Sequence, residues 1–143
     1  MLNLNDLKII SGTWDDLAED AKSIREAVFI QEQKIDAEDE WDEQDPICLH
    51  FVLYLKEHAV ATARLLSNQS IGRVAVLENY RGKQIGQHLM KAVIQYAQEQ
   101  GFPYVKLSSQ VHALKFYQAL GFLEQGEQYL DCGIPHIDMY LYF

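Results

Sequence analysis

The apolar residues of this 143-residue chain switch from strand-like runs to a helical repeat across one short polar stretch, residues 78–84. Before it, Leu49 to Lys56, Ala59 to Leu66 and Ile71 to Leu77 are β-rich runs of strand length. After it, Ile85, Leu89, Val93 and Ala97 mark one face of a helix that stops at Gly101. Glu57-His58 fits a two-residue hairpin turn, and Ser67 to Ser70 forms the next turn. Strands joined this tightly pair antiparallel, because a parallel partner needs a long crossover. The first half of the chain is therefore expected to be an antiparallel sheet, with a helix packed over it.

The flanking segments extend this order. Lys8 to Ile10 reads as a short opening strand. Thr13 with Asp16 reads as a helix start, a hydroxyl cap with acids in the first turn. Leu17, Ala21, Ile24 and Val28 carry that helix to about Gln33. Tyr104 to Ser108 reads as a strand, Val111 to Leu120 as a short helix, and Phe122 to Phe143 as two strands. The order β-α-β-β-β-α-β-α-β-β describes a mixed α/β layer fold. The length suits one domain over residues 1–143.

Charge narrows the partners. The net charge is −9, the opposite of the excess that phosphate backbones and anionic membrane surfaces require, so neither nucleic acid nor membrane is an expected partner. The balance is uneven, however: residues 59–115 hold seven bases and two acids. A basic middle in an acidic chain suggests one small anionic ligand. Seven acids fall between Asp36 and Asp45, around Trp41. The plainer reading of that run is a solvated loop or frayed helix; the sharper one is steering of cationic acceptors toward a cleft. No apolar run approaches the ~20 residues of a membrane span, and the first residues lack the basic and apolar regions of a signal peptide. Cys48 and Cys132 fit no metal or redox spacing and read as free thiols, which makes the cytoplasm the expected compartment.

The chemistry concentrates where the period changes. The strand residues Val74, Ala75 and Val76 lead into Arg81, Gly82, Lys83, Gln84, Ile85 and Gly86, which open the helix. Such a junction presents unpaired backbone N–H groups at the positive end of a helix dipole, a ready anion site. Arg81 and Lys83 add charge. The plain alternative is a strand–helix turn with two surface cations. Further on, Gln110, Ala113, Phe116-Tyr117 and Gly121-Phe122 form a second cluster.

Together these two segments resemble the GNAT (Gcn5-related N-acetyltransferase) superfamily. Arg81 to Gly86 is similar to its motif A and Gln110 to Phe122 to its motif B. Val28 to Gln33 and Gly133 to Met139 are similar to its ElaA-like group. The resemblance implies a mostly antiparallel mixed sheet, splayed at the cofactor strand and flanked by helices. It also implies acetyl-CoA as acyl donor, no metal, and direct transfer to a primary amine on a small molecule or peptide. Val74 to Val76 would pair with the pantetheine arm, with a backbone N–H near Val76 facing the thioester carbonyl. Arg81 to Gly86 would hold the pyrophosphate. Tyr117 would protonate the departing thiolate; its plain alternative is a core aromatic. Two departures stand out: Gln84 occupies a position where the motif usually has glycine, and Gln110 one where many members have Asn.

The acceptor amine must lose a proton before attack. Glu78 and His136 are the candidate bases, with Asp138 beside His136 and His50 on the central hairpin as further candidates. A non-catalytic acyl-CoA-binding module is the alternative function. A serine hydrolase lacks the Gly-x-Ser-x-Gly elbow, and the five histidines show no i, i+4 ligand pair. Strand edges in such a fold leave a homodimer open.

Overall fold

The computed structural model describes residues 2–143. Its elements are β1 (Leu7–Gly12), α1 (Trp14–Arg25), α2 (Ala37–Glu40), β2 (Leu49–Leu55), β3 (His58–Leu65), β4 (Ser70–Val76), α3 (Ile85–Glu99), β5 (Tyr104–Gln110), α4 (Leu114–Ala119), β6 (Leu123–Asp131) and β7 (Ile134–Tyr142). The strands form one sheet in the order β1-β2-β3-β4-β5-β7-β6. Every neighbouring pair is antiparallel except β4 and β5. The expected element order and mixed α/β class are both present, and the one-turn α2 falls in the acidic run read as a loop or frayed helix.

Alternation along the strands decides what each helix covers. Phe51 and Leu53 of β2 pack with Leu89, Met90 and Val93 of α3, while Val52 between them packs with Leu17, Ala21 and Ile24 of α1. The sheet is thus sandwiched, which is why Val60 to Leu65 of β3 is buried without a break. Each fully buried valine or leucine side chain, such as Val60 or Leu53, stabilises the fold by roughly 1.5–3 kcal/mol. Thr13 caps α1 as expected, accepting the Asp16 N–H at 3.4 Å.

Two local expectations are corrected. The β2–β3 turn is Lys56-Glu57 rather than Glu57-His58, because His58 already pairs with Leu55 and Lys56 takes the left-handed φ of +56°. The first helix keeps α geometry only to Arg25. From Glu26 to Glu32 it widens to a π-helix, in which the Gln33 N–H reaches Val28 O at 3.1 Å.

The acidic run is not a solvated loop throughout. Glu40 and Asp45 are buried, and with Asp42 they meet three arginines from three elements. Arg25 of α1 donates to Glu40 Oε2 at 2.7 Å and to both Asp45 oxygens at 2.8 and 3.1 Å. Arg64 of β3 binds Asp42 at 2.7 and 2.8 Å and Asp45 at 2.8 Å. Arg73 of β4 reaches Glu40 O and Asp42. Arg25 also lies between the rings of Trp14 and Trp41, at 5.5 and 5.0 Å. Three of the seven acids, Glu40, Asp42 and Asp45, are therefore paired with arginines in the fold and are not free for steering.

Candidate active site

β4 and β5 run parallel for only two pairs, Ser70 with Lys106 and Ile71 with Leu107. Beyond these the strands diverge. Their divergence follows from a bulge on β4: Arg73 and Val74 together oppose the one β3 residue Ala63, and Arg73 takes a φ of +52°. The gap opens into a cleft of about 1070 Å³. Ile71 to Val76 form one wall, Leu107, Ser108 and Gln110 the other, and the cleft runs from the α3 loop to the β6–β7 hairpin.

At one end lies the loop ahead of α3. The backbone N–H groups from Gly82 to Gln87 find no acceptor among the described residues, and the first helical bond is His88 N–H to Gln84 O at 3.1 Å. Six amides at a helix N-terminus make an anion site. Gln84 caps the helix with a φ of +67°, so the position where the motif usually has glycine keeps the left-handed backbone with a side chain attached. Gly86 leaves little room for a side chain: a Cβ there would lie 3.3 Å from Phe116 Cζ and 3.4 Å from Val76 Cγ2. Arg81 turns away from the loop toward the π-helix, where both terminal nitrogens meet Glu32 at 2.7 Å, while Nε donates to Val76 O at 2.9 Å. The Arg81 hydrogen bonds hold the Glu32 carboxyl below its usual range. Lys83 does not line the cleft; its Nζ donates to Asn79 O at 3.3 Å.

Tyr117 of α4 borders the middle of the cleft. It packs edge-on against Phe116 and Phe122 at 4.9 and 5.9 Å, and burial pushes its phenol well above the ordinary range. Gln110 exchanges amide hydrogen bonds with Gln33, donating at 2.8 Å and accepting at 3.4 Å. Consecutive residues of the first helix, Glu32 and Gln33, thereby tie both walls of the splay together.

At the other end, His136 of β7 is buried and lines the cleft. Its Nδ1 hydrogen-bonds Ile134 O at 2.7 Å; a carbonyl only accepts, so Nδ1 carries a hydrogen and, in the neutral ring, the lone pair lies on Nε2. The other candidate bases are placed elsewhere. Glu78 is exposed on the 3₁₀ turn Glu78–Tyr80 and does not border the cleft. Asp138 shares the face of β7 with His136 but does not border the cleft; it accepts the Tyr129 hydroxyl at 2.6 Å. His50 is buried against Trp14, ring centroids 4.6 Å apart, with Nε2 bound to Asp45 O at 2.9 Å.

Asp45, Cys48 and His50 do bring ligand atoms within 4.8 Å of one another. Both Asp45 oxygens already accept from guanidinium groups there, and burial pushes the Cys48 thiol up. The chemistry of that donor set favours an ion-pair core over a cation site. Glu32, Gln33 and Ser108 are cleft residues that the sequence reading missed. Arg25 carried a detectable signal, since it follows Ala21 by four residues on an apolar helix face and needs buried acids to balance it.

A splayed parallel pair beside an anion-binding helix start defines a cleft for an extended chain ending in an anionic group. Residues 17–143 match the family described as the acetyltransferase (GNAT) domain. The chain is 33% identical over 137 residues to the uncharacterized N-acetyltransferase YjcF of Bacillus subtilis, covering 93% of this chain and 98% of that one. It is 35% identical over 125 residues to ElaA of Escherichia coli, covering 81% of each. The crystal structure of ElaA superimposes with a TM-score of 0.83 over 93% of this chain and 98% of that one, at 31% identity. An acyl-CoA N-acyltransferase from Pseudomonas aeruginosa superimposes equally well, with a TM-score of 0.83 at 30% identity over 94% and 98% of the two chains. The chain belongs to the GNAT acetyltransferase family. It is an acyltransferase.

Proposed function

We propose that the protein, as one domain, transfers an acetyl group from acetyl-CoA to a primary amine by direct attack in a ternary complex. The observation that carries this reading is the row of six unpartnered amides, Gly82 to Gln87, beside the free edge of β4. The loop from Arg81 to Gly86 would hold the pyrophosphate, mainly through its backbone. Val74, Ala75 and Val76 would pair with the pantetheine amides, and an N–H near Val76 would bind the thioester oxygen. Fixing both reactants in the cleft supplies most of the acceleration.

Amine attack on the thioester carbonyl forms a C–N bond, and collapse breaks the C–S bond. Tyr117 donates its proton to the leaving sulfur; a phenol kept protonated by burial is suited to that task. His136 Nε2 takes the proton shed by the attacking nitrogen. Glu78, outside the cleft lining, is given no proton transfer. No residue set in this reading holds a metal. A homodimer along the outer edge of β6 would cover Leu123 and Leu130, which are exposed there, and the free thiols Cys48 and Cys132 suit a cytoplasmic protein.

Thermal denaturation with and without acetyl-CoA tests the donor, followed by a primary-amine screen for free thiol release. At 100-fold excess over Kd the stabilisation should be about 2.7 kcal/mol. Absence of any shift with acetyl-CoA would remove the donor assignment.

A further inference from the structure

A primary ammonium must shed two protons before it becomes an amide nitrogen, and His136 accounts for the second. The structure offers a separate route for the first. Ser108 is the first β5 residue beyond the last β4–β5 pair, and it lines the cleft. Its Oγ hydrogen-bonds the hydroxyl of Tyr129 on β6, and that hydroxyl donates to Asp138 Oδ1 of β7 at 2.6 Å. Three strands thus meet in one chain of oxygens that starts in the cleft and ends at a carboxylate.

The chain has a fixed direction. A carboxylate has only acceptors, so the single phenolic hydrogen of Tyr129 is committed to Asp138. Ser108 must then donate to the Tyr129 oxygen, which leaves the serine lone pairs for a donor in the cleft. An ammonium N–H is such a donor. Burial and the bond to Asp138 raise the Tyr129 phenol above its ordinary range, so it passes a proton on instead of ionising. The ring is held by stacking on His136, with centroids 6.1 Å apart and planes 22° from parallel.

We propose that Ser108, Tyr129 and Asp138 form a proton relay that converts the acceptor ammonium to the attacking amine. This rests on the amine-acetylation reading above. In the step, the ammonium N–H breaks and its proton joins Ser108 Oγ; the serine proton moves to Tyr129 and the tyrosine proton to Asp138. The products are a neutral amine and a protonated Asp138, which returns its proton to water. Ser108 touches the substrate; Tyr129 and Asp138 act through it.

The test uses two acceptors of one skeleton, 2-phenylethylamine and 2,2-difluoro-2-phenylethylamine, with acetyl-CoA at pH 7. Fluorine makes the second ammonium far more acidic, so that amine reaches the cleft mostly neutral and does not need the relay. Ser108→Ala and Tyr129→Phe should each lower kcat/KM for the basic amine about tenfold more than for the difluoro amine. Asp138→Asn should do the same, with partial recovery in Asp138→Glu. His136→Gln, by contrast, should affect both amines equally. Thermal stabilisation by acetyl-CoA checks that each variant is folded; Tyr129→Phe carries the test if Ser108→Ala is not. Equal losses for the two amines in the folded relay variants would overturn the relay and leave amine acetylation standing. Acetylation of neither amine by the unaltered protein, with acetyl-CoA still stabilising it, would overturn both.

Discussion

Glu32 grips Arg81 through both carboxylate oxygens at 2.7 Å, tying the end of the π-helical turn to the loop that opens α3. The pair is too exposed to stabilise the fold much; such surface bridges contribute about 0–1 kcal/mol. Its effect is on the anion site, since it draws the guanidinium away from the loop and sets a carboxylate beside it. Glu32→Gln is therefore expected to tighten coenzyme A binding about threefold to tenfold with little change in melting temperature. Calorimetric titration would settle it; unchanged or weaker binding would mean that Arg81 never exchanges partners.

Gln84 holds the left-handed backbone conformation at the start of α3 with a side chain attached. Glycine adopts it without a Cβ clash, although it loses more chain entropy on folding. Gln84→Gly should gain a net of about 0.5–1 kcal/mol in urea denaturation. It should also bind coenzyme A at least as tightly, because the backbone amides are kept. A destabilised variant would show that the Gln84 side chain contributes packing that outweighs the strain.

Tyr117→Phe removes one hydroxyl from a buried, aromatic-packed ring and leaves the ring contacts in place. Turnover is expected to fall by about 100-fold while acetyl-CoA affinity stays nearly intact. Steady-state rates and a binding titration on the same preparation separate the two. Unchanged turnover would return Tyr117 to the role of a core aromatic.

The arginine–carboxylate core gives the fold an acid limit. The Arg64 hydrogen bonds at Asp42 lower its carboxyl from an ordinary 3.8 to about 2. A depressed folded-state pKa stabilises above the ordinary value and is lost as pH falls through the folded one. Denaturation midpoints should therefore drop between about pH 4 and pH 2, with about 1–2 kcal/mol traceable to this group after solvent screening. Asp42→Asn should flatten that limb. Arg25→Ala should be far worse, by about 3–5 kcal/mol, since it leaves Glu40 and Asp45 buried without their main partner.

The acidic run shows where reading along the chain reaches its limit. Seven acids in ten positions describe a solvated surface unless cations arrive from elsewhere, and Arg64 and Arg73 arrive from strands more than twenty residues away. Tyr117 was legible from its motif, while Ser108 was not. A serine near a strand end is unremarkable until β4 and β5 diverge beside it and Tyr129 folds over from β6. His50 shows the reverse error: a histidine amid strand residues drew attention as a base, and burial against Trp14 and Asp45 removed it from the cleft.

By itself the amino-acid order determined the strand runs, the helical repeats and the glycine-containing basic loop between them. These are short-range properties, set by the side-chain period of each segment and the backbone freedom at its turns. The tertiary structure alone decided which walls the cleft has and which groups face into it. A single bulge at Arg73 opens β4 from β5, and a π-helical turn then swings Glu32 and Gln33 across the gap. Their partners, Arg81 and Gln110, lie 49 and 77 residues further along. Contacts at that range depend on how whole layers pack, which no local pattern encodes.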